Sequence, residues 1–329
     1  MANPQLIERA EADPGTEAPA VASRSVKSKS PFQIAFERLR SDPIAIVCAV
    51  VVLLFILIAI FAPLLAKMVG VDPNTFNFAL IDDYGFPTIG QTPQHPFGIE
   101  PGVGRDLFAR WVYGARPSLL IAFSATIISA VIGTFVGITA GLIGGTTDRI
   151  VSWIIDFFLA LPLILLVIAI SPIVATHFST DPATVAKVRL WTLIAIFGAF
   201  GWTGLARLIR AQVLSLRERE FVLAARAIGV PTWRIIVREL FPNVTGQIIV
   251  FMSLSLPSYV AAEAGLSYLG LGLVEPTASW GRTIQAATNY YQSFPVYFWY
   301  PALGILLLVL ALNLLGDAVR DAFDPKTRR

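Results

Sequence analysis

Residues 217–243 read REREFVLAARAIGVPTWRIIVRELFPN and form the longest charged interruption between the apolar runs of this chain. The stretch predicts two short helices that meet at a corner. Gly229 suits the left-handed position that ends a helix, and Pro231 suits the first turn of the next helix. Pro242 is expected to stop that second helix, because proline has no amide hydrogen to donate.

Ala224 and Ala225 precede this corner and leave a surface that lacks bulky side chains. Another protein could approach the backbone closely there. The stretch also carries five arginines, so a basic helix that lies on anionic headgroups is the alternative interpretation of the same residues.

The composition indicates an all-α integral membrane protein. Of 329 residues, 55% are hydrophobic and 14% charged, and the mean hydropathy is +0.69, whereas soluble domains contain about 25% charged residues. A net charge of +3 gives no indication of nucleic-acid binding. The single cysteine, Cys48, excludes an intrachain disulfide framework. Residues 1–30 are polar, show no cleavable signal pattern and are expected to be disordered.

Six apolar runs are candidates for membrane-spanning helices, which need about 20 apolar residues. They are residues 43–66, 118–142, 151–175, 190–206, 244–273 and 296–315. Lysine and arginine then set the orientation, because cytoplasmic loops are enriched in them. One side carries 18 of these residues and the other 7. Both termini and the corner are therefore predicted to be cytoplasmic.

Small residues recur at every fourth position of the second run and include Gly133, Gly137 and Gly141. Such a stripe lets two helices approach closely in lipid. Packing within this chain is the first interpretation, and a subunit interface is the alternative.

Glu263 is the most deeply placed ionisable residue, because 23 residues without an acid or base separate it from Glu239. Intramembrane carboxylates are costly and face a cavity or a partner. Glu263 is therefore a candidate for the translocation path, and a structural hydrogen bond is the alternative. Asp156, near the start of the third run, is interpreted as structural.

Catalytic and metal-binding chemistry is not expected in this chain. His95 and His177 have no cysteine or carboxylate at a metal-site spacing. Residues 98–106 are glycine-rich, but they fall on the predicted outer side, and the sequence contains no GxxxxGK[ST] phosphate-binding motif. We therefore expect no bound cofactor and no nucleotide hydrolysis by this chain alone.

Five segments resemble the C-type (DppC/OppC-like) permease subunits of ABC importers for dipeptides and oligopeptides. The similarity runs from about residue 38 to residue 328. The segments are HPFGIEPGVGRDLFARWVYGARPSL (95–119), DFFLALPLILLVIAI (156–170), GWTGLARLIRAQVLSLREREFVLAARAIG (201–229), AEAGLSYLGLGLVEPTASWG (262–281) and NLLGDAVRDAFDP (313–325). Their common order makes the resemblance specific.

This resemblance implies that the corner is an EAA loop, which docks as a coupling helix in a cleft of the ATPase. The implied ATPase-coupling residues are Ala224, Ala225, Arg226, Gly229, Pro231 and Pro242. The chain departs from the family pattern in three places: Leu223 replaces its glutamate, Glu239 its isoleucine and Phe241 its leucine. The change at Leu223 removes a charge from the docking surface.

The resemblance also implies a division of the chain and a set of partners. The division is a cytoplasmic tail (1–35), a first transmembrane helix (36–66), an extracytoplasmic loop (67–117), a permease core (118–320) that contains the coupling region (217–243), and a cytoplasmic C-terminal tail (321–329). The partners are a homologous B-type permease subunit, two cytoplasmic ATPases that bind ATP and Mg²⁺, an extracytoplasmic substrate-binding protein and membrane lipid. The location would be a bacterial or archaeal inner membrane.

Three alternatives stay open from the sequence. The same architecture could import nickel, glutathione or another small solute. A proton-coupled secondary transporter could use Glu263, although no inverted repeat is evident. A membrane anchor that recruits ATPases for signalling would transport nothing.

Overall fold

The computed structural model describes residues 31–178 and 180–324, and within these residues it contains helices and no β-strand. Residues 1–30 of the predicted N-terminal tail (1–35) and residues 325–329 of the predicted C-terminal tail (321–329) lie outside the described residues. The helices are α1 (Pro31–Ser41), α2 (Pro43–Val69), α3 (Leu107–Ile143), α4 (Gly145–Ala160), α5 (Leu163–Phe178), α6 (Pro182–Leu216), α7 (Glu220–Ala227), α8 (Thr232–Ile235), α9 (Phe241–Tyr268), α10 (Trp280–Ala287) and α11 (Pro295–Phe323). The all-α membrane class is confirmed.

Within the described residues, five continuous helical stretches are long and apolar enough to cross a membrane. They are α2, α3, α6, Thr232–Tyr268 and α11. Helix α4 and the first part of α5 (Leu163–Ser171) are together apolar enough for a sixth crossing, but they meet at an angle of 74°. The prediction of six spans is consistent with the structure when this bent pair is counted as one.

The predicted third span, residues 151–175, is broken in the structure. The helix breaks at Leu161, whose backbone is extended (φ −81°, ψ 125°), and α5 begins after Pro162. A residue that precedes proline avoids the helical region, because the proline ring crowds its backbone. The apolar run alone could not show this, since proline is tolerated inside many membrane helices.

Several helices differ in length from the apolar runs that predicted them. Helix α3 begins at Leu107, where the Asp106 carboxylate accepts the Ala109 amide hydrogen at 2.6 Å as an N-cap. Helix α6 continues through Arg189 and Arg207, which bound the predicted span. Helix α9 ends at Tyr268, before the predicted end at residue 273. Helical hydrogen bonding continues into charged sequence. The apolar runs therefore underestimate the lengths of α3 and α6.

Helix α1 was not expected, because residues 31–35 fell in the predicted tail (1–35) and residues 36–41 in the predicted first transmembrane helix (36–66). It packs against the end of α11. The rings of Phe32 and Phe323 meet edge to face at 5.6 Å, and Arg38 donates to the Ala322 carbonyl at 3.4 Å. Residue 31 and residue 324 therefore lie at the same end of the bundle.

The two ends of the helix bundle differ in character. One end, here called the corner end, holds residues 217–243, the last turns of α3 and α6, and helix α1. The other end, here called the loop end, holds residues 70–106 and helix α10. The largest buried cluster lies between them and joins α2, α3, α6, α9 and α11.

Candidate functional site

The predicted corner is present in the structure as helices α7 and α8. Gly229 joins them in the left-handed conformation (φ +77°), and its amide donates to the Arg226 carbonyl at 3.0 Å. Val222 and Ile235 are buried beneath the two helices and pack with the ends of α3, α6 and α9. The corner is therefore fixed to the spanning helices by an apolar base.

The outer surface of the corner is more apolar than its alanines suggested. Ala224 is exposed and Ala225 is half-buried. Around them, Ile228 is 80% exposed, Trp233 is 62% exposed and Leu223 is 47% exposed. A contiguous apolar surface of this kind is typical of a protein interaction site. The guanidinium group of Arg234 lies over the Trp233 ring at 5.5 Å, and Arg226 is also exposed, so the patch has a basic border.

Pro242 does not stop the second helix, and this prediction is wrong. Helical structure continues from Thr232 to Tyr268. It passes through a π-helical turn at Ile236–Leu240, where the Phe241 amide donates to the Ile236 carbonyl five residues back. The wider turn accommodates the proline ring and its missing donor. Helix α8 of the corner and the span that follows it therefore form one continuous helix, and α7 is a separate helix before Gly229.

The three glycines of the small-residue stripe face helix α6 of the same chain. A methyl group added at Gly133 would lie 2.8 Å from the Trp202 carbonyl oxygen, and one added at Gly137 would lie 2.8 Å from that of Ala206. At Gly141 the nearest atom would be Cβ of Val213, at 2.8 Å. The stripe thus packs within this chain at its closest helix pair.

Three basic side chains tie α6 to α3 and α4 near the corner end. Arg217 donates to the Gly141 carbonyl at 3.1 Å. Arg210 forms a two-atom ion pair with Asp148, one contact of which is 2.8 Å. An exposed ion pair joins Arg207 to Asp156 at 2.5 Å, in agreement with the structural role assigned to that aspartate. The Arg210–Asp148 pair holds α4 against the helix that leads into the corner, whereas the exposed Arg207–Asp156 pair contributes little.

Glu263 has no exposed surface in the structure. Its carboxylate accepts hydrogen bonds from Ser118 at 2.5 Å, from Ser267 at 2.7 Å and from Ser279 at 3.1 Å. The three hydroxyls belong to α3, to α9 and to the segment before α10. The carboxylate therefore joins three elements and does not face an accessible cavity, which is the geometry of the structural alternative.

The loop end contains a buried ionic network that the sequence analysis missed. Glu100 is 3% exposed and receives two hydrogen bonds from Arg105, at 2.7 and 3.0 Å, and one from the Tyr297 hydroxyl. Arg110 is 1% exposed and pairs with Glu275. Burial raises the pKa of Glu275, but Arg110 and Arg105 outweigh it and leave this pKa below its usual range. In the sequence, the glycine-rich stretch 98–106 was the signal that could have indicated this network.

His95 contacts a carboxylate that the sequence spacing did not reveal. Its Nδ1 atom lies 2.8 Å from a carboxylate oxygen of Asp106, whose other oxygen caps α3. Burial raises the pKa of Asp106, although the hydrogen bonds from Ala109 and His95 act in the opposite direction. Within residues 31–178 and 180–324 there is no group of three histidine, cysteine or acidic residues that could hold a metal ion.

The chain matches two protein-family models. Residues 133–329 match the model described as binding-protein-dependent transport system inner membrane component. Residues 30–84 match the model described as N-terminal TM domain of oligopeptide transport permease C. The first match covers the chain from the last turns of α3 onwards, and the second covers α1, α2 and the start of the loop end. Residues 85–132, which include most of α3, lie between the two matches.

Curated proteins are similar over nearly the whole length. The chain is 38% identical to the dipeptide transport system permease protein DppC of Alkalihalophilus pseudofirmus, with 91% of each chain covered. It is 35% identical to the oligopeptide transport system permease protein OppC of Bacillus subtilis, with 93% of each covered. The corresponding protein of Haemophilus influenzae is 34% identical, with 86% of this chain covered.

Proposed function

Because this chain belongs to the family of binding-protein-dependent transport system inner membrane components, we propose that it is a transmembrane permease subunit of an ATP-driven importer of dipeptides or oligopeptides. The observation that carries this proposal is the exposed apolar corner around Gly229, which is continuous with the span Thr232–Tyr268. Such a surface is suited to receive force from another protein. The names of the similar proteins favour peptides over nickel or glutathione.

The mechanism follows from the way the corner is built. An ATPase subunit that binds ATP and Mg²⁺ would contact Ala224, Ala225, Arg226 and the apolar side chains beside them. The buried base at Val222 prevents the corner from moving independently of α6 and α9. Closure of the ATPases would therefore tilt these packed spans together, which is the kind of rigid-body step that switches access between two sides.

The partners and the orientation are part of the same proposal. A homologous B-type permease subunit would complete the pore, two ATPases would bind at the corner end, and a substrate-binding protein would deliver the peptide at the loop end. Residues 31 and 324 lie at the corner end, which supports cytoplasmic termini in a bacterial or archaeal inner membrane. We propose the same division of the chain as above. It consists of two tails (1–35 and 321–329), a first span (36–66), an outer loop (67–117) and a permease core (118–320).

The two rival functions receive less support. A proton-coupled transporter needs a carboxylate that solvent reaches, whereas Glu263 is fully buried among three serines. A signalling anchor has no need of a groove between its spans, and this chain has one beside α9.

Reconstitution of the complete complex in proteoliposomes tests the proposal. We expect uptake of a radiolabelled dipeptide that requires ATP, both permease subunits, the ATPases and the binding protein. Uptake driven by a pH gradient without ATP would support the proton-coupled rival. ATP hydrolysis without accumulation of any dipeptide or oligopeptide would contradict the proposed function.

A further inference from the structure

A groove of about 620 Å³ lies between α6, α9 and α11. On α9 its lining residues recur at helical spacing along one face, namely Gln247, Val250, Phe251, Leu254, Ser255, Ser258 and Tyr259. The distance from Gln247 to Ser258 along the helix axis is roughly 17 Å, because an α-helix rises 1.5 Å per residue. The groove therefore extends along much of the length of one spanning helix.

The side chains of this face offer hydrogen-bond acceptors without a formal charge. Ser255 and Ser258 donate their hydroxyl hydrogens to the carbonyls of Phe251 and Leu254, at 2.7 and 3.3 Å. Their lone pairs stay available to a donor in the groove. Charged groups line it only at the corner end, where Arg320 and Asp324 lie. The middle of the groove is thus suited to a neutral donor such as a peptide amide.

Gln247 supplies the second, independent observation. Its carbonyl oxygen is buried and has no hydrogen-bond partner among the residues that the structure describes. A buried carbonyl oxygen without a partner is unfavourable, and the residue that carries this one lines the groove. A ligand that donates a hydrogen bond there would remove the cost.

A second groove on the other side of α9 provides the contrast. Its volume is about 400 Å³, and it lies between α3 and α9. Apart from Thr134, Thr139 and Thr245, its lining side chains are aliphatic or aromatic. Thr139 and Thr245 donate to carbonyls of their own helices, and the buried Thr134 hydroxyl has no partner among the described residues. The two grooves therefore differ in how many polar side chains line them, and not in the presence of an unpartnered polar atom. This second groove has the character of a lipid-facing surface. Met252 is one of the α9 residues that line it.

We infer that the groove between α6, α9 and α11 is this chain's wall of the solute path, and that the Gln247 amide hydrogen-bonds the backbone of the passing peptide. Contact with the backbone suits a carrier of varied peptides, because every peptide presents the same N–H and C=O groups. The assignment of the ligand rests on the proposed function, whereas the location of the path rests on the polar face of α9.

Cysteine accessibility tests the location of the path. The only native cysteine, Cys48, is buried on α2, so a Cys48→Ala background is suitable. In the complete complex, we expect Ser255→Cys and Ser258→Cys to react with a membrane-impermeant thiosulfonate. The matched control is Met252→Cys, at similar depth on the other face of α9, and it should react only with a lipophilic maleimide. Equal reactivity of Met252→Cys, or none at both serine positions, would overturn the location.

A comparison of a dipeptide with its ester isostere tests the role of Gln247, because the ester lacks the backbone N–H. We expect the wild-type complex to prefer the amide, and Gln247→Leu to reduce that preference by roughly tenfold while uptake of the ester changes little. The preference is the uptake of the amide divided by the uptake of the ester. Any selectivity of the binding protein cancels when this preference is compared between the wild-type complex and Gln247→Leu, because both contain the same binding protein. An unchanged preference in Gln247→Leu would reject the hydrogen bond. Failure of the wild-type complex to transport any peptide would instead reject the proposed function and leave the cysteine result intact.

Discussion

Arg110 on α3 and Glu275 in the segment before α10 form a two-atom ion pair, at 2.9 and 3.3 Å, across 165 positions of sequence. Arg105 binds the same glutamate at 2.9 Å and connects it to the buried Glu100. The pair therefore anchors the loop end to both the first half and the second half of the chain. Its consequences for stability follow from the burial of Arg110.

We expect Glu275→Gln to destabilise the folded chain. The substitution leaves the buried Arg110 guanidinium with a more distant carboxylate, Glu100 at 3.7 Å, and an under-compensated buried charge is costly. Thermal unfolding of the purified complex should show a Tm lowered by about 3 °C or more, which corresponds to roughly 1 kcal/mol. The exposed pair Arg207–Asp156 provides a control, because Asp156→Asn should change Tm little.

The same substitution should change the dependence of stability on pH. The folded-state pKa of Glu275 is below its ordinary value of 4.5, so its ionised form stabilises the fold above that pH. This stabilisation is lost as pH falls through the folded-state pKa. The difference in Tm between the wild-type chain and Glu275→Gln should therefore shrink below pH 4.5. A difference that stays constant from pH 7 to pH 3.5 would argue against the ion pair.

Gly137→Ala should weaken the packing of α3 against α6. The added methyl group would lie 2.8 Å from both the Ala206 carbonyl oxygen and Cβ of Ile209, and neither can move without its helix. Overpacking of this kind costs about 1–3 kcal/mol, which thermal unfolding would detect. Gly204→Ala on α6 is the matched control, because nothing lies within 4 Å of its added methyl group. Equal Tm values for the two variants would refute the packing role.

Ile228→Glu should uncouple transport from ATP hydrolysis. The side chain is 80% exposed at the corner, so the substitution costs the isolated chain little but places a charge on the proposed docking surface. We expect normal amounts of protein in the membrane fraction, with dipeptide uptake reduced at least tenfold. Met68→Glu is the control, because Met68 is 76% exposed at the loop end. Normal uptake by Ile228→Glu would contradict docking at this surface.

Glu263→Gln should preserve ATP-driven uptake, because its amide can replace the carboxylate as an acceptor for Ser267 and Ser279. Glu263→Leu should instead leave the hydroxyls of Ser118, Ser267 and Ser279 without their acceptor, at a cost of about 2 kcal/mol or more. Thermal unfolding and uptake assays separate the two effects. A stable Glu263→Gln protein that had lost uptake would restore the proton-coupled hypothesis.

The spans and the corner could be predicted because both depend on local sequence. An uncharged run of 24 residues at 43–66 has few alternatives to a membrane helix, and Gly229 takes the positive φ that its position required. Whether each of the two prolines interrupts its helix was harder to predict. Pro162 follows a break in the helix, whereas Pro242 lies in a continuous one, because a π turn precedes it. That difference depends on how each neighbourhood packs, which a hydropathy pattern does not contain.

By itself, the sequence determined the class of protein, the corner and the family, since each of these follows from apolar length, charge distribution or a local motif. Only the tertiary structure decided which side chains meet. It placed Glu263 among three serines, joined Arg110 to Glu275, and set Gly137 against α6. Such contacts join residues far apart in sequence, and the physical reason is that buried charges and close helix approaches are satisfied in three dimensions, wherever the fold brings a partner.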